Sequence, residues 1–145
     1  MGRRILFVCT GNTCRSPMAE AVARRRAGDA AVEFGSAGLH ATEGMPASVP
    51  ATAAAAEIGL DLSRHAASRF TLRGGSAADR IYVMTEAQRR ALLQMDPGLR
   101  PKVDLLDPDG RDVPDPHGFD IGTYRAARDH IAGAVARRIE EWRGG

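Results

Sequence analysis

The sequence predicts an α/β fold: a three-layer, doubly wound arrangement with a four-stranded parallel sheet and helices on both faces. Three observations lead there. Short apolar runs at Arg4 to Val8, Val32 to Ser36, Arg80 to Met84 and Lys102 to Leu105 read as strands, and helical stretches alternate with them. The first run passes through a Gly-containing turn straight into Ser16-Pro17, a helix-opening pair. No linker, internal repeat or low-complexity tract interrupts the alternation, so one domain over residues 1–145 is expected.

Each element has a local reason. Ile5-Leu6-Phe7-Val8 is continuously apolar, as a strand covered on both faces must be. The helix that follows takes Ser16 as N-cap, Pro17 at its first position and Glu20 near its third, and it ends in Arg24-Arg25-Arg26, where cations suit the helix dipole. Val32 to Ser36 alternates apolar and polar residues and closes at Ala37-Gly38. Pro46 to Ile58 is alanine-rich and helical, stopped by Gly59, and Ser63 to Leu72 is expected to form a short helix. Thr85 caps a helix that runs through Met95 and ends before Pro97-Gly98. Asp107 to Gly118 carries four Asp, three Pro and two Gly and reads as a loop. Ile121 to Trp142 is a long helix whose stripe of Ile121, Tyr124, Ala127, Ile131, Ala134, Val135, Ile139 and Trp142 has core spacing.

Composition excludes several classes. A chain of 145 residues buries about two-thirds of its unfolded surface and folds without metal or disulfide. Two cysteines are too few for a disulfide framework or a four-cysteine zinc site. Twenty Lys+Arg against 18 Asp+Glu, a net charge of +2, argue against a dedicated nucleic-acid binder. Apolar residues at 43% and charged residues at 26% describe an ordinary globule rather than a disordered chain. The run Ile5 to Cys9 is shorter than a signal h-region of about 7–15 residues, and no run of about 20 apolar residues suggests a membrane span. The expected setting is the cytoplasm, with thiols kept reduced. Lys102 is the only lysine, a bias read as compositional and without functional meaning.

In open sheets of this kind ligands bind beyond the carboxyl ends of the strands, so the loop after the first strand is the place to look. That loop is Cys9-Thr10-Gly11-Asn12-Thr13-Cys14-Arg15-Ser16-Pro17. Its backbone N–H groups can curl round an anion, with the helix dipole adding positive potential. Arg15 offers a planar fork for two oxygens. Cys9 enters the loop first; helix N-termini and cations favour thiolates, and a thiolate facing a bound tetrahedral anion is a nucleophile in place. Sulfur to attack and guanidinium to hold the oxygens are the two halves of a phosphate-ester displacement. Ser16 can donate to the sulfur and Asn12 can lock the loop through backbone groups. A nucleotide P-loop is disfavoured because no Gly-Lys-Ser/Thr follows, and zinc because the two cysteines lack partners at usual spacings.

The segment Val8-Cys9-Thr10-Gly11-Asn12-Thr13-Cys14-Arg15-Ser16-Pro17-Met18-Ala19-Glu20 resembles the phosphate-binding loop of the low-molecular-weight protein tyrosine phosphatase family. Ser36-Ala37-Gly38, Asp79 to Thr85 and Asp115-Pro116 follow in the family's order, so the resemblance spans essentially the whole chain. It implies a metal-independent, cofactor-free hydrolase. Cys9 would form a cysteinyl-phosphate. Arg15 and the loop from Thr10 through Gly11, Asn12, Thr13 and Cys14 would bind the phosphoryl oxygens. Asp115 would protonate the leaving group and then deprotonate the attacking water. His65 resembles a family histidine that supports the loop through Asn12, although Arg64 before it departs from the family pattern.

Thr13, where the tyrosine-directed branch usually has an apolar residue, together with Asp115-Pro116-His117-Gly118, Tyr124-Arg125 and Arg128-Asp129, makes the sequence resemble the bacterial protein-arginine-phosphatase branch more closely. Asp115 would suit a guanidinium leaving group. His117 departs from both branches, which show Phe or Tyr there. Phosphoarginine on a protein is therefore the expected substrate and phosphotyrosine the alternative; a non-catalytic phosphate- or phosphopeptide-binding module is the alternative of another class. Thioredoxin-coupled arsenate reduction needs two further cysteines, and none follows Cys14. Cys14 is a candidate partner for an oxidised Cys9. The remaining expectations are a monomer that takes a phosphorylated protein, inorganic phosphate or other oxyanions, but neither nucleic acid nor a membrane.

Overall fold

The computed structural model describes residues 3–28 and 31–144; of the expected span 1–145, Met1, Gly2, Asp29, Ala30 and Gly145 lie outside the described residues. The elements run β1 (Arg3–Cys9), α1 (Arg15–Ala27), β2 (Val32–Gly38), α2 (Val49–Ala56), α3 (Leu72–Ala77), β3 (Arg80–Val83), α4 (Glu86–Met95), a 3-10 turn (Pro97–Lys102), β4 (Val103–Leu105) and α5 (Ile121–Gly144). The four strands are all parallel, in the order β2-β1-β3-β4. This is the expected three-layer α/β fold.

Alternation along the central strands explains the layers. Ile5, Phe7 and Cys9 of β1, with Tyr82 and Met84 at β3, pack into the core shared with α1, α2 and α5. Val8, Ile81 and Val83 point the other way, into a core completed by Phe70, Leu92, Leu93 and Leu99. Phe7 and Ile5 are fully buried, so truncation of either to Ala would cost about 2–5 kcal/mol. The reversal of strand order places a crevice at the carboxyl ends of β1 and β3, and the loop after β1 occupies it.

Three expectations about helices need correction. Helix α1 begins at Arg15 with Cys14 as N-cap and no side-chain capping bond; Ser16 is inside the helix because its hydroxyl is engaged by Cys9 and Asn12 instead. The alanine-rich helix is shorter than Pro46 to Ile58: Ser48 caps it by accepting from the Ala51 N–H at 3.3 Å. Ser63 to Leu72 is not a helix. Its backbone serves distant partners: the Ser68 carbonyl accepts from Gly38 N–H, the Phe70 N–H donates to Gly38, and Ala67 pairs with Gly44 and Met45. The helix in this region is α3, capped by Thr71.

The segment after β4 is fastened to α5. Buried Arg138 donates to the carbonyls of Leu105 and Leu106 at 2.6 and 3.0 Å and lies over the Tyr82 ring. His130 meets Asp107 at 2.6 Å, and Arg137 grips Asp109 with both terminal nitrogens. These contacts aim the rest of the loop, which carries Asp115, back over the end of β1.

Candidate active site

Cys9 ends β1 with its sulfur inside the curl of the loop. The Ser16 hydroxyl lies 2.9 Å from Cys9 Sγ, and the Asn12 N–H donates to the same sulfur at 3.3 Å. The Ser16 oxygen already accepts from Asn12 Nδ2 at 2.8 Å, which leaves its own proton free for the sulfur. Because α1 starts without a side-chain cap, its first-turn N–H groups are left for an anion in the loop.

Asn12 makes the curl possible. Its φ is +56°, a left-handed conformation that Asn tolerates better than most residues, and it is fully buried. Its side chain is satisfied at both ends: Nδ2 donates to Ser16 Oγ at 2.8 Å and Oδ1 accepts from Ser68 N–H at 2.9 Å. Its carbonyl oxygen lies 2.7 Å from His65 Nε2, so that ring nitrogen carries the proton. Gly38 lets the loop approach β2. A Cβ there would sit 2.7 Å from the Thr10 carbonyl oxygen and 2.9 Å from Asn12 N.

Arg15 is buried, and its guanidinium does two things. Nη1 donates to the Val113 carbonyl at 2.9 Å, and Nη2 lies 3.8 Å from Asp115 Oδ2. Asp115 is more than half exposed, and its other oxygen accepts from the His117 N–H at 3.0 Å, an Asx turn that holds the carboxyl at the mouth.

Cys9, Thr10, Gly11, Thr13, Cys14, Arg15, Asp115 and His117 together line a cavity of about 240 Å³, with Ser48 and Tyr124 completing the wall. Asn12, Ser16 and His65 stand behind the loop and brace it. A larger cavity, about 390 Å³, lies behind the loop between Glu20, Arg24, Asp61 and His65. Cys9, Arg15 and Asp115 are absent from its lining, so the smaller cavity is the candidate site. Burial, reinforced by the neighbouring Cys9, pushes the Cys14 thiol up to about 12 against the opposing pull of Arg15. Burial likewise pushes the Tyr124 phenol up, so it stands in the wall as a hydroxyl. Among the described residues no group of three or more His, Cys, Asp or Glu is placed to hold a metal ion, and no helix is long and apolar enough to cross a membrane.

Sequence reasoning missed four contributors. Ser48 donates its N–H to the Thr13 carbonyl at 2.9 Å, Ser68 and Val113 offer backbone groups, and Gln88 reaches Thr10 from α4. The backbone contributors leave no mark in the sequence. Gln88 does, standing three residues after Thr85 as a capping box requires.

The family model for low molecular weight phosphotyrosine protein phosphatase matches residues 4–142. The chain belongs to that family. Relatives of this phosphatase carry two kinds of name. It is 38% identical to a protein-arginine-phosphatase of Geobacillus stearothermophilus, with 97% of each chain covered. It is 33% identical to the low molecular weight protein-tyrosine-phosphatase Etp of Escherichia coli K12, covering 95% of this chain and 90% of that one. Among solved structures, the YwlE arginine phosphatase of Geobacillus stearothermophilus superposes with a TM-score of 0.92 at 36% identity, over 98% of this chain and 94% of that one.

Proposed function

We propose that this family member hydrolyses phosphoarginine on proteins. Cys9 Sγ attacks phosphorus as the P–N bond breaks, and Asp115 passes its proton to the departing guanidine nitrogen. Arg15 and the loop amides hold the phosphoryl oxygens. Water then attacks the cysteinyl-phosphate, Asp115 takes the water's proton, and inorganic phosphate leaves with the sulfur restored.

The observation that carries the reading is the character of the cavity wall outside the phosphate cradle. Thr13, Ser48, Asp115, His117 and Tyr124 build it, each a residue with a polar side-chain group, and among the described residues no Leu, Ile, Val or Met lines it. A guanidinium carries only donors at its rim, and hydroxyl and carboxylate oxygens are its complement. Phosphotyrosine is the second reading, favoured by the Tyr124 and His117 rings, against which a phenol ring can pack.

The experiment is a side-by-side comparison of matched phosphoarginine and phosphotyrosine peptides at pH 7.5. A higher kcat/KM for phosphoarginine is expected. A clear preference for phosphotyrosine would reverse the assignment, and no phosphate release from either would leave only a binding module.

A further inference from the structure

The buried amide of Gln88 has a fixed orientation. Its Oε1 accepts from the Met84 N–H at 2.9 Å and from the Thr85 N–H at 3.1 Å. Two backbone donors meet at that atom, so it is the oxygen, and the opposite end is the NH2. That NH2 donates to Thr10 Oγ1 at 3.1 Å. Gln88 is otherwise enclosed, and its own N–H donates to Thr85 Oγ1 to complete the capping box.

An NH2 group can only donate, so the Thr10 oxygen must accept on this side. The Thr10 O–H proton is thereby left for another acceptor. Thr10 lines the cavity together with Cys9 and Arg15. We infer that Gln88 is a positioning residue which holds the Thr10 hydroxyl as a proton donor to the phosphoryl group bound over Cys9. The inference rests on the proposed phosphate cradle and adds a side-chain donor to its amides. Topology explains the reach. β1 and β3 are neighbours, so the loop leaving β1 and the first turn of α4 leaving β3 meet at the same end of the sheet.

Gln88→Glu separates this role from helix capping. Glu serves a capping box as well as Gln does, and its carboxylate still accepts from Met84 and Thr85. It has no N–H for Thr10, so the Thr10 proton turns towards the new carboxylate and leaves the cavity. With p-nitrophenyl phosphate as substrate and inorganic phosphate as competitor, the phosphate inhibition constant should rise about tenfold, as should KM, with the melting temperature near that of the wild type. Thr10→Val should give a similar rise without adding charge, and Thr10→Ser should restore wild-type inhibition.

The decisive measurement is Gln88→Glu in the Thr10→Val background. If the hydroxyl carries the effect, the second substitution adds little. An undiminished effect there would mean simple repulsion by the new carboxylate and would overturn the inference, as would phosphate inhibition unchanged by Thr10→Val. Should Gln88→Glu fail to fold, Gln88→Met, which also lacks the N–H for Thr10, takes its place, and a rise in the phosphate inhibition constant undiminished in the Thr10→Val background would overturn the inference. Wild-type turnover competed by phosphate, with all variants unchanged, would overturn this inference and leave the proposed function standing. A wild-type chain without turnover or phosphate binding would overturn both.

Discussion

Arg15 donates from Nη1 to the carbonyl oxygen of Val113 at 2.9 Å, joining the phosphate loop to the loop that carries Asp115 across 98 positions of sequence. The same guanidinium that lines the cavity with Cys9 therefore also holds the carboxyl loop. Lys has one ammonium and no planar fork, so Arg15→Lys cannot keep both contacts. The expected result is a fall in kcat/KM of about 10²–10³-fold, together with faster amide exchange around residues 112–116, read by hydrogen–deuterium exchange. Lost activity with unchanged exchange would separate the two roles and remove the anchoring one.

Substitution at Cys9 and at Asp115 should be distinguishable by leaving group. Cys9→Ser should abolish turnover while inorganic phosphate still binds, measured by calorimetry, because the amide cradle is intact. Asp115→Asn should slow phosphopeptide hydrolysis strongly. It should slow p-nitrophenyl phosphate less, since p-nitrophenolate leaves without a proton. Equal losses on both substrates would argue against Asp115 as the general acid.

Thr13 lines the cavity beside Cys14, with its carbonyl held by Ser48. Thr13→Ile replaces a hydroxyl by bulk on the wall. Its cost should fall on phosphoarginine peptides more than on phosphotyrosine peptides, shifting the ratio of kcat/KM values by about tenfold. A uniform loss would show that Thr13 packs the loop without selecting the substrate.

If Cys14 resolves an oxidised Cys9, its high pKa sets the pH dependence. The step joins Cys9 sulfenic acid and Cys14 thiol into a disulfide and releases water, and the attacking form is the thiolate. With the Cys14 thiol pushed up to about 12 by burial, its thiolate fraction grows about tenfold per pH unit across the range from 7 to 9. Disulfide formation after mild peroxide, followed by mass spectrometry, should accelerate accordingly. Accumulation of Cys9 sulfonic acid with no Cys9–Cys14 bond at any pH would rule out the protective role.

Glu57 links α2 to α5 through Arg125 and Arg128, with contacts of 2.7 Å to each. Hydrogen bonding from Arg125, supported by Arg128, holds its carboxyl at about 2 instead of 4.5. A depressed folded-state pKa means stability that is present above the unfolded value and lost as pH falls through the folded one. Glu57→Gln should therefore lower the melting temperature above pH 5. The difference should close between about pH 4.5 and 2, and it should shrink in 1 M salt because the network is exposed. A pH-independent difference would point to packing instead.

Much of this was legible from local pattern. The four strands and the helices α1, α4 and α5 follow from apolar runs, caps and helical spacing, all properties of neighbouring residues. The loop from Cys9 to Ser16 was legible because one short segment supplies the sulfur and the guanidinium, but its left-handed turn, expected at the permissive Gly11, falls at Asn12, whose side chain is bonded at both ends. Ser63 to Leu72 misled because its helix-compatible composition is overruled by partners on β2 and in the segment around Met45. Ser16 misled for a related reason: a residue suited to capping was more stable bonded to Cys9 and Asn12.

The sequence by itself determined the α/β alternation, the strand-loop-helix whose amides can cradle an anion, and the placement of Cys9 and Arg15 in that one loop. Only the tertiary structure decided what the rest of the chain does to that cradle. Val113 on Arg15, Ser68 and His65 on Asn12, Ser48 on Thr13, and Gln88 on Thr10 are contacts between segments far apart in the chain. Several of them use backbone groups that every residue carries, and so no residue type announces them. They come into being when parallel pairing brings the ends of β1 and β3 together, because the same sheet that buries Phe7 and Val83 also sets those distances.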